Sequence, residues 1–487
     1  MRKGDEVIGE VYRMVFPDKG IARVTEDGQE YNVKVKYALP GQKIRLRISK
    51  KKANNLEGNL LEVIEPAAGE LKSDCPHFGQ CGSCIYRTFP YEKQLEIKKG
   101  LIGDLFAPVL GRAEFDRIFE GIYTGPEYEG YRNKMEFTFG DEYKDGPLAL
   151  GMHKRGNFYD IITTGGCRIV DEDYRAIVSF TLEYFKGKGL PFFHRVTHEG
   201  YLRHLCVRKA AKTGEILVAL VTTSAIDFDL TEWADELRAL PTTGTVVGIL
   251  HTVNDSVADT VLDEGTTILY GRDYFYEELL GLKFKISQFS FFQTNSLGAE
   301  VLYSKVKEYL GTSEIPNPVV FDLYSGTGTI AQLVSPAAGK VVGVEIVEEA
   351  VEAAKVNADI NGLTNCEFIA GDVLKVLDDV EEKPDYIILD PPRDGINPKA
   401  LTKIIAYGVD RMVYVSCKPT SLARDMEVLK EAGYVPQKMC CVDMFPATVH
   451  VETCVLLSRG TYRHAAAKVK IDVELEDYYA IKDSKKE

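Results

Sequence analysis

The 487-residue sequence has no long hydrophobic run. No apolar stretch approaches the roughly 18 residues of a membrane-spanning helix, and the opening MRKGDEVIGE lacks the apolar segment of a signal peptide. Internal repeats and long low-complexity tracts are also missing. These absences predict a cytoplasmic protein that does not bind membranes, and the length predicts several domains.

The chain also lacks an excess of positive charge, since 59 Lys and Arg stand against 73 Asp and Glu and the formal net charge is −14. That total argues against a nucleic-acid partner, but the charge is unevenly distributed. Residues 1–60 contain 13 Lys and Arg against 8 Asp and Glu, and the run KIRLRISKKK, residues 43–52, has six positive charges and no negative one. This run is either a solvated strand face or a surface that binds phosphates.

Apolar patterning divides the chain into four segments. Residues 1–66 show five short alternating strands separated by turns, as in a small barrel of the oligonucleotide-binding (OB) type. Residues 67–284 contain a cysteine-rich loop, a helical pattern after Pro90 and many strands, which predicts an antiparallel α+β domain. In residues 285–460 strands alternate with helices, as in a parallel, doubly wound, Rossmann-like sheet. Residues 461–487 form a C-terminal extension whose alternating apolar residues predict an edge strand.

The stretch VVFDLYSGTGTIAQL combines an apolar strand, a glycine loop and a helix start. Gly326 lets the backbone approach a ligand at the helix N-terminus. The third glycine of the dinucleotide fingerprint is missing, and Asp322 would repel a pyrophosphate but suits the cationic groups of S-adenosylmethionine. The next two strands end in Glu345 and Asp372, where acids can bind a ribose and an adenine. Each acid alone is more often a cap or a solvated charge, but together they predict a nucleoside cofactor.

Two further strands bring a carboxylate and a thiol to the same rim. DYIILDPPRDGI is a buried strand that ends at Asp390, and its prolines hold the chain rigid there unless the turn is purely structural. Cys417 follows the next strand, RMVYVS. Because the carboxyl ends of parallel strands meet at one edge, both side chains should lie near the glycine loop. Lys418 and the helix start after Pro419 are expected to lower the pKa of the thiol.

A thiolate beside a methyl donor fits one specific reaction. Carbon 5 of uracil is too weak a nucleophile to take a methyl group directly, but a thiolate that adds at carbon 6 makes an enolate that can. The adduct must then lose the carbon 5 proton, which requires a base. Glu452 is a candidate, with His450 on the same strand face, because a carboxylate among apolar residues is costly unless it is paired or used. A structural ion pair is the alternative.

Four cysteines form a separate group. Cys75, Cys81 and Cys84 have C-x5-C-x2-C spacing, and Cys167 follows a Gly-Gly turn much later. In a reducing compartment such a set indicates a metal site rather than disulfides. It can hold a tetrahedral zinc ion or a cubane iron–sulfur cluster, and spacing alone does not choose between them. The spacing differs from the C-x3-C-x2-C loop of radical S-adenosylmethionine enzymes.

Together these motifs resemble the RNA 5-methyluridine methyltransferase family, in its iron–sulfur-containing branch. The resemblance covers nearly the whole chain and rests on the barrel, the four cysteines and the motifs FSFFQTN, DLYSGTGTI, DPPRDGI, SCKPTSLARD and HVETCVLLSR. It implies a barrel of the TRAM type and an RNA substrate, with 23S ribosomal RNA favoured over the thymidine loop of transfer RNA. The protein is expected to act as a monomer.

The resemblance also implies roles for individual residues. Cys417 matches the nucleophile, and Glu452 matches the base that removes the carbon 5 proton. The positions that line the pocket for cofactor and target base match Gln293, Tyr324, Glu345 and Asp390, which join Asp322, Gly326 and Asp372 in the predicted S-adenosylmethionine site. The ligands of a four-iron [4Fe-4S] cluster match Cys75, Cys81, Cys84 and Cys167. Family members often have Asn where this chain has Lys418.

Two other functions fit parts of the pattern. A different Rossmann-like methyltransferase, acting on amino nitrogens or on cytosine, would share the cofactor site, although amino groups need no cysteine nucleophile. A non-catalytic RNA-binding or redox protein would use only the barrel and the cluster. The four residues FSFF, 289–292, are either a stacking surface for a flipped base or core residues.

Overall fold

The computed structural model describes residues 1–459 apart from 53–54, 158, 259, 312–314 and 381. The extension predicted to contain an edge strand, residues 461–487, lies outside the described residues. Within the described part, the strands form a closed barrel, a seven-stranded sheet, a two-stranded hairpin and an eight-stranded sheet. No helix in that part combines the length and the apolar character needed to cross a membrane.

The barrel consists of β1 (Glu6–Val15), β2 (Lys19–Glu26), β3 (Gln29–Lys36), β4 (Lys43–Lys52) and β5 (Asn55–Glu65). Its strand order is β1-β2-β3-β5-β4, and β4 pairs with β1 to close it. Alternate side chains point inward, so Val33, Ile44 and Leu46 are fully buried. The five-stranded barrel predicted from the sequence is confirmed.

The cysteine-rich loop follows, and then come α1 (Tyr91–Leu110), α2 (Arg112–Ile118) and β6 (Phe119–Thr124). The seven-stranded sheet contains β7 (Lys134–Asp141), β8 (Leu148–His153), β9 (Ile161–Thr163), β10 (Leu202–Lys209), β11 (Glu215–Thr222), β12 (Thr245–Val253) and β13 (Thr266–Gly271). Its order is β13-β12-β11-β10-β7-β8-β9, and its helices are α3 (Glu172–Lys188) and α4 (Thr231–Arg238). The prediction of an antiparallel sheet is wrong at one pair: β11 and β12 run parallel, because α4 crosses over between them.

The remaining elements are β14 (Tyr274–Leu279), β15 (Leu282–Ser287), α5 (Ser296–Leu310), β16 (Val319–Leu323), α6 (Thr329–Val334), a 3₁₀ turn (Ser335–Ala337), β17 (Lys340–Glu345), α7 (Glu348–Ile360), β18 (Cys366–Ala370), α8 (Val373–Asp379), β19 (Tyr386–Leu389), α9 (Pro398–Ala406), β20 (Arg411–Ser416), α10 (Pro419–Glu431), β21 (Tyr434–Asp443) and β22 (Glu452–Arg459). The eight-stranded sheet has the order β18-β17-β16-β19-β20-β22-β21-β6. Strands β16 to β20 are parallel, and β22 is antiparallel to both neighbours. Helices cover both faces, which is why these strands are almost continuously apolar.

Two elements cross the domain boundaries that the sequence pattern suggests. Strand β6, grouped by sequence with the central domain, pairs in parallel with β21 at the edge of the eight-stranded sheet. The β14–β15 hairpin, most of which the sequence pattern groups with the central domain, contacts α7 beside the eight-stranded sheet. The Lys285 N–H donates to Asn357 Oδ1 at 2.7 Å, and the Lys283 N–H donates to Asn361 Oδ1 at 2.9 Å. Both contacts join segments that are far apart in sequence.

Candidate active site

A cavity of about 1620 Å³ opens at the carboxyl ends of the parallel strands. All the residues predicted for cofactor binding and catalysis line it, namely Gln293, Asp322, Tyr324, Gly326, Glu345, Asp372, Asp390, Cys417 and Glu452. The structure therefore brings together side chains from several separate loops and strand ends. The predicted metal ligands lie elsewhere and line a second, smaller cavity: Cys75, Cys81, Cys84 and Cys167.

The glycine loop between β16 and α6 is built by tight backbone turns. Tyr324 has a φ of +66°, and its N–H donates to Val344 O at 2.9 Å. The Gly326 N–H donates to Glu345 Oε2 at 2.9 Å, so the acid at the end of β17 fixes the loop. Gly328 has a φ of +70°, and a Cβ there would lie 2.5 Å from the ring of Phe368. Glycine is required at this position.

Asp322 is buried beneath this loop. Its Oδ2 accepts a hydrogen bond from the Ala331 N–H at 2.9 Å, whereas Oδ1 finds no hydrogen-bond partner among the described residues. Burial, with the charges of Asp390 and Glu345, raises the pKa of Asp322 to about 8. A buried carboxylate with an unused oxygen suits a cationic hydrogen-bond donor. The site therefore fits the charged groups of S-adenosylmethionine.

Asp372 lines the cavity and also caps a helix. It is the N-cap of α8, where its side chain accepts a hydrogen bond from the Leu374 N–H at 2.9 Å. The capping interpretation weighed for each acid is thus real for Asp372. This residue nevertheless shares the cavity wall with Glu345, so a cap and a ligand contact are both open to its carboxylate.

The thiol of Cys417 faces two carboxylates and one guanidinium. Burial, Glu452 and Asp390 raise the pKa of Cys417 to about 11, while the positive charge of Arg393 opposes them. The prediction that Lys418 lowers this pKa is wrong. Its ammonium lies 3.9 Å from a carboxylate oxygen of Asp394 on the exposed side of the turn. The cation that acts on the thiol is Arg393.

Glu452 begins β22 and is almost completely buried. Burial and the charge of Asp390 raise the pKa of Glu452 to about 8, and Arg393 opposes them. Burial alone raises the pKa of Asp390 to about 7. A carboxylate with such a pKa is a much better proton acceptor near neutral pH than a solvated one. His450, the other candidate base, has its pKa lowered to about 4 by burial and by Arg393.

Sequence reasoning missed two residues of this site. In the sequence Arg393 is part of a turn motif, and its position after Asp390 and two prolines is the signal that would have placed it at the site. Tyr303, on α5, reads as an ordinary core residue, but it lines the cavity. Burial, Asp390 and Glu452 raise its pKa well above the ordinary value, so its hydroxyl remains a proton donor.

The four predicted metal ligands share one cavity wall. Burial raises the pKa of Cys84 to about 12, and the other three cysteines add to the effect because they lie close by. A ring of ion pairs joins the loop that carries Cys75, Cys81 and Cys84 to the segment that carries Cys167. In this ring Arg87 and Arg168 each pair with both Asp74 and Glu129. Among the described residues, no group of three or more His, Cys, Asp or Glu side chains converges as a site for a single metal ion.

The sheet order, the glycine loop and the acidic strand ends define an enzyme of the nucleoside-cofactor methyltransferase class. The sequence model of the family described as tRNA (Uracil-5-)-methyltransferase matches residues 210–460. The chain belongs to this family, and it is an S-adenosylmethionine-dependent RNA (uracil-C5)-methyltransferase.

Full-length relatives agree with this assignment. A protein named as an uncharacterised RNA methyltransferase from Clostridium tetani is 51% identical over 460 residues, which cover 94% of this chain and 99% of the relative. One with the same description from Caldanaerobacter subterraneus is 48% identical over 460 residues, covering 94% and 100%. A Bacillus cereus protein described in the same way is 34% identical over 447 residues, covering 90% and 94%.

A solved structure shares the fold. The crystal structure of Pyrococcus abyssi tRNA (uracil-54, C5)-methyltransferase in complex with S-adenosyl-L-homocysteine superposes with a TM-score of 0.71. The two chains are 24% identical, and the match covers 92% of this chain and all of the other. The overall fold is therefore common to both proteins.

Proposed function

We propose that this enzyme methylates carbon 5 of a specific uridine, most favourably in 23S ribosomal RNA, through a covalent Cys417 adduct at carbon 6 of uracil. One observation carries the proposal: a thiol, a guanidinium and a high-pKa carboxyl group line the same cavity as the acids of the cofactor site. An enzyme that methylates amino nitrogens needs no such thiol.

The residues divide the chemistry between them. Arg393 stabilises the thiolate of Cys417, which adds to carbon 6 and pushes the electron pair of the carbon 5–carbon 6 bond toward carbon 5 and oxygen 4. S-adenosylmethionine, when bound, supplies the methyl group that carbon 5 accepts. Glu452 then takes the proton from carbon 5, the double bond forms again, and the Cys417 thiolate leaves.

Asp322, Glu345 and Asp372 are proposed to bind the cofactor. The unused oxygen of Asp322 supports a contact with a cationic group, and the position of Glu345 at the end of β17 supports a contact with ribose hydroxyls. Gln293 and Asp390 line the same cavity, and we propose that they contact the polar edge of the target base beside the cofactor.

The exposure of the FSFF segment, residues 289–292, supports the proposal that the target uridine is flipped out of its stack and into the cavity. Phe291 is 66% exposed and lines the cavity, while Phe292 is 5% exposed and belongs to the core. One ring of the motif thus packs inside the protein, and another is available to stack on RNA. A uridine in a structured RNA has to leave its stack to reach Cys417.

The four cysteines are proposed to hold a [4Fe-4S] cluster. Their shared cavity supports a common ligand, and in a cubane each thiolate binds its own iron instead of converging on one ion. Zinc, which needs four ligands around a single point, is the alternative. Transfer RNA is the alternative substrate; the combination of the barrel with the cysteine cluster, which resembles the ribosomal branch of the family, favours ribosomal RNA. We propose that the enzyme acts as a monomer in the cytoplasm.

Two experiments test the proposal. Mass-spectrometric mapping of methyluridine in RNA from a deletion strain identifies the substrate: loss at a 23S position supports the proposal, and loss only in the thymidine loop of transfer RNA overturns the ribosomal assignment. RNA from that strain then serves as substrate for purified variants. Glu452→Gln should give an S-adenosylmethionine-dependent, covalent protein–RNA band on a denaturing gel, and Cys417→Ala should give none. Full activity of Cys417→Ala would reject the covalent mechanism.

A further inference from the structure

The segment between β21 and β22, residues 443–452, delivers Glu452 to the cavity and is here called the base loop. It also contributes Phe445, Thr448 and His450 to the cavity wall. Residues from distant segments bind its consecutive backbone carbonyls: Asn295 Nδ2 to Met444 O, Lys98 Nζ to Phe445 O, Tyr131 Oη to Pro446 O, and the Ile85 and Tyr86 N–H groups to Ala447 O. The rest of the fold thus fixes the base loop residue by residue.

Lys98 makes the widest of these contacts. Its side chain is 1% exposed, and it lies on α1, remote in sequence from the base loop. The ammonium has three N–H groups and three acceptors: Asp443 Oδ1 at 2.7 Å, Phe445 O at 3.2 Å and His450 O at 3.1 Å. It therefore joins the first residue of the base loop to a residue only two positions before Glu452.

A second residue of α1 fixes the middle of the base loop. Ala447 has a φ of +65°, a left-handed conformation that is costly for a residue with a side chain. Its N–H donates to Gln94 Oε1 at 2.9 Å. Gln94 and Lys98 are four positions apart and so lie on one face of α1. That single helix face holds the loop in a strained shape.

The charge of Lys98 is not explained by stability. Taking a lysine and an aspartate out of water is expensive, and apolar residues of similar volume usually stabilise a fold at least as well. What an ammonium supplies, and a methyl group does not, is three directed hydrogen bonds. Lys98 is not among the residues that line the cavity, so it acts on the chemistry only through the base loop.

We propose that Lys98, together with Gln94 and Asp443, is a positioning residue that fixes the base loop so that the Glu452 carboxylate reaches the carbon 5 proton. This inference rests on the proposed function, because it assigns Lys98 to the second half of the covalent reaction. Removal of the Lys98 ammonium should slow proton abstraction and leave the earlier attack of Cys417 and the binding of S-adenosylmethionine unchanged.

The first variant is Lys98→Met, with Lys99→Met as the matched control because Lys99 is exposed on the same helix. Turnover of Lys98→Met should fall by roughly 10- to 100-fold, the expected effect of displacing a reacting group by about 1 Å. The methylated protein–RNA adduct should accumulate during turnover, and the dissociation constant of S-adenosylmethionine should stay within about twofold of wild type. Lys99→Met should match wild type in all three measurements.

Lys98→Met leaves Asp443 buried without its cation and is at risk of misfolding. The double variant Lys98→Met/Asp443→Leu removes both charges and should recover thermal stability, but it cannot restore the hydrogen bonds to Phe445 and His450. It should show the same slow turnover and the same adduct. Gln94→Leu keeps both charges and removes the hydrogen bonds of Gln94 to the Ala447 N–H and to Phe89 O. It should slow turnover and increase the adduct, as the double variant does. Normal turnover of the stable double variant would overturn the inference, since Lys98 would then serve the fold alone.

Glu452→Gln separates this inference from the proposed function. If Glu452→Gln turns over normally and traps no adduct, the role proposed for Glu452 is wrong, and the inference about Lys98 falls with it; full activity of Cys417→Ala would reject the covalent mechanism itself. If Glu452→Gln traps the adduct while the double variant turns over like wild type, only the role of Lys98 is wrong. Loss of cofactor binding and of the adduct together in the folded double variant would also contradict a role confined to proton removal.

Discussion

The guanidinium of Arg393 lines the same cavity as the thiol of Cys417 and opposes the rise in its pKa, and the same charge opposes the rise in the pKa of Glu452. One cation thus acts against the burial that raises both pKa values, to about 11 for the thiol and about 8 for the carboxyl group. In the proposed mechanism Cys417 attacks as a thiolate and Glu452 accepts a proton as a carboxylate, so the charge of Arg393 would favour the active form of each.

Removing this cation should move the pH dependence of the reaction. Without Arg393 both pKa values rise, so fewer molecules carry the ionised forms at neutral pH and activity recovers only at higher pH. We expect the ascending limb of kcat/KM for Arg393→Gln to shift upward by about one pH unit. Arg393→Lys, which keeps the charge, should shift less. An unchanged profile in Arg393→Gln would show that the guanidinium does not act on these groups.

Binding of S-adenosylmethionine should tighten as the pH rises from about 6 to 8. In the free protein the pKa of Asp322 is about 8, so this carboxyl group is mostly protonated at lower pH. A cationic ligand favours the carboxylate and therefore lowers this pKa, which couples binding to proton release. Calorimetry in two buffers with different ionisation enthalpies measures the released protons. Asp322→Asn should release fewer protons, and equal release in both proteins would exclude Asp322 from contact with the cation.

Protein purified without oxygen should be brown and contain about four irons per chain. Cys81→Ser should lose this iron and unfold at a lower temperature, because the end of the cysteine loop joins two parts of the fold. The side chains of Ile85 and Tyr86 pack against the barrel, and their N–H groups donate to the base loop at Ala447 O. Elemental analysis and thermal melts check both outcomes. One zinc per chain with no visible absorbance would contradict the cluster, and normal stability without iron would show that it is dispensable for folding.

The basic strand of the barrel should contribute unequally to RNA binding. Three of its six cations already face acids on neighbouring strands, in the pairs Lys43–Glu65, Arg45–Glu62 and Arg47–Glu6. Replacing Lys50, Lys51 and Lys52 with Gln should weaken RNA binding and flatten its salt dependence by about 0.7 to 0.9 in the log–log slope for each phosphate that is no longer neutralised. Lys43→Gln is the control. Equal slopes for both variants would place the RNA surface elsewhere.

Deletion of residues 1–66 tests the barrel as a whole. RNA affinity should fall, because this segment carries the excess of positive charge, while S-adenosylmethionine binding should persist, because none of the barrel residues lines the large cavity. Filter binding and calorimetry measure the two affinities separately. Unchanged RNA affinity would show that the barrel is not the RNA-binding module.

The position of the site was predictable because it follows from strand geometry. Asp322, Glu345 and Asp390 each lie at or near the end of an apolar strand, and parallel strands must deliver their carboxyl ends to one edge. The barrel was predictable for a similar reason, since alternation and glycine turns are local signals. In both cases the complete pattern lies within a few residues of the chain.

The electrostatics of the site were not predictable in the same way. Lys418 is next to Cys417 in sequence, but it points toward Asp394, whereas Arg393 reaches the thiol from another strand end. Neighbours in sequence diverge at the end of a strand, because successive side chains point in opposite directions. The buried Lys98 was equally hidden, since its charge suggests an exposed helix face and its partner Asp443 is on a distant strand.

Strand β6 has a consequence for how the chain is made. It emerges from the ribosome early, but its only pairing partner in the described sheet, β21, is among the last strands to be synthesised. The eight-stranded sheet can therefore be completed only when almost the whole chain is available, while the barrel is ready to fold much sooner. A fragment that begins at residue 285 would leave the edge of β21 open to pair with other chains. The catalytic domain thus depends for its solubility on a strand that the central segment supplies.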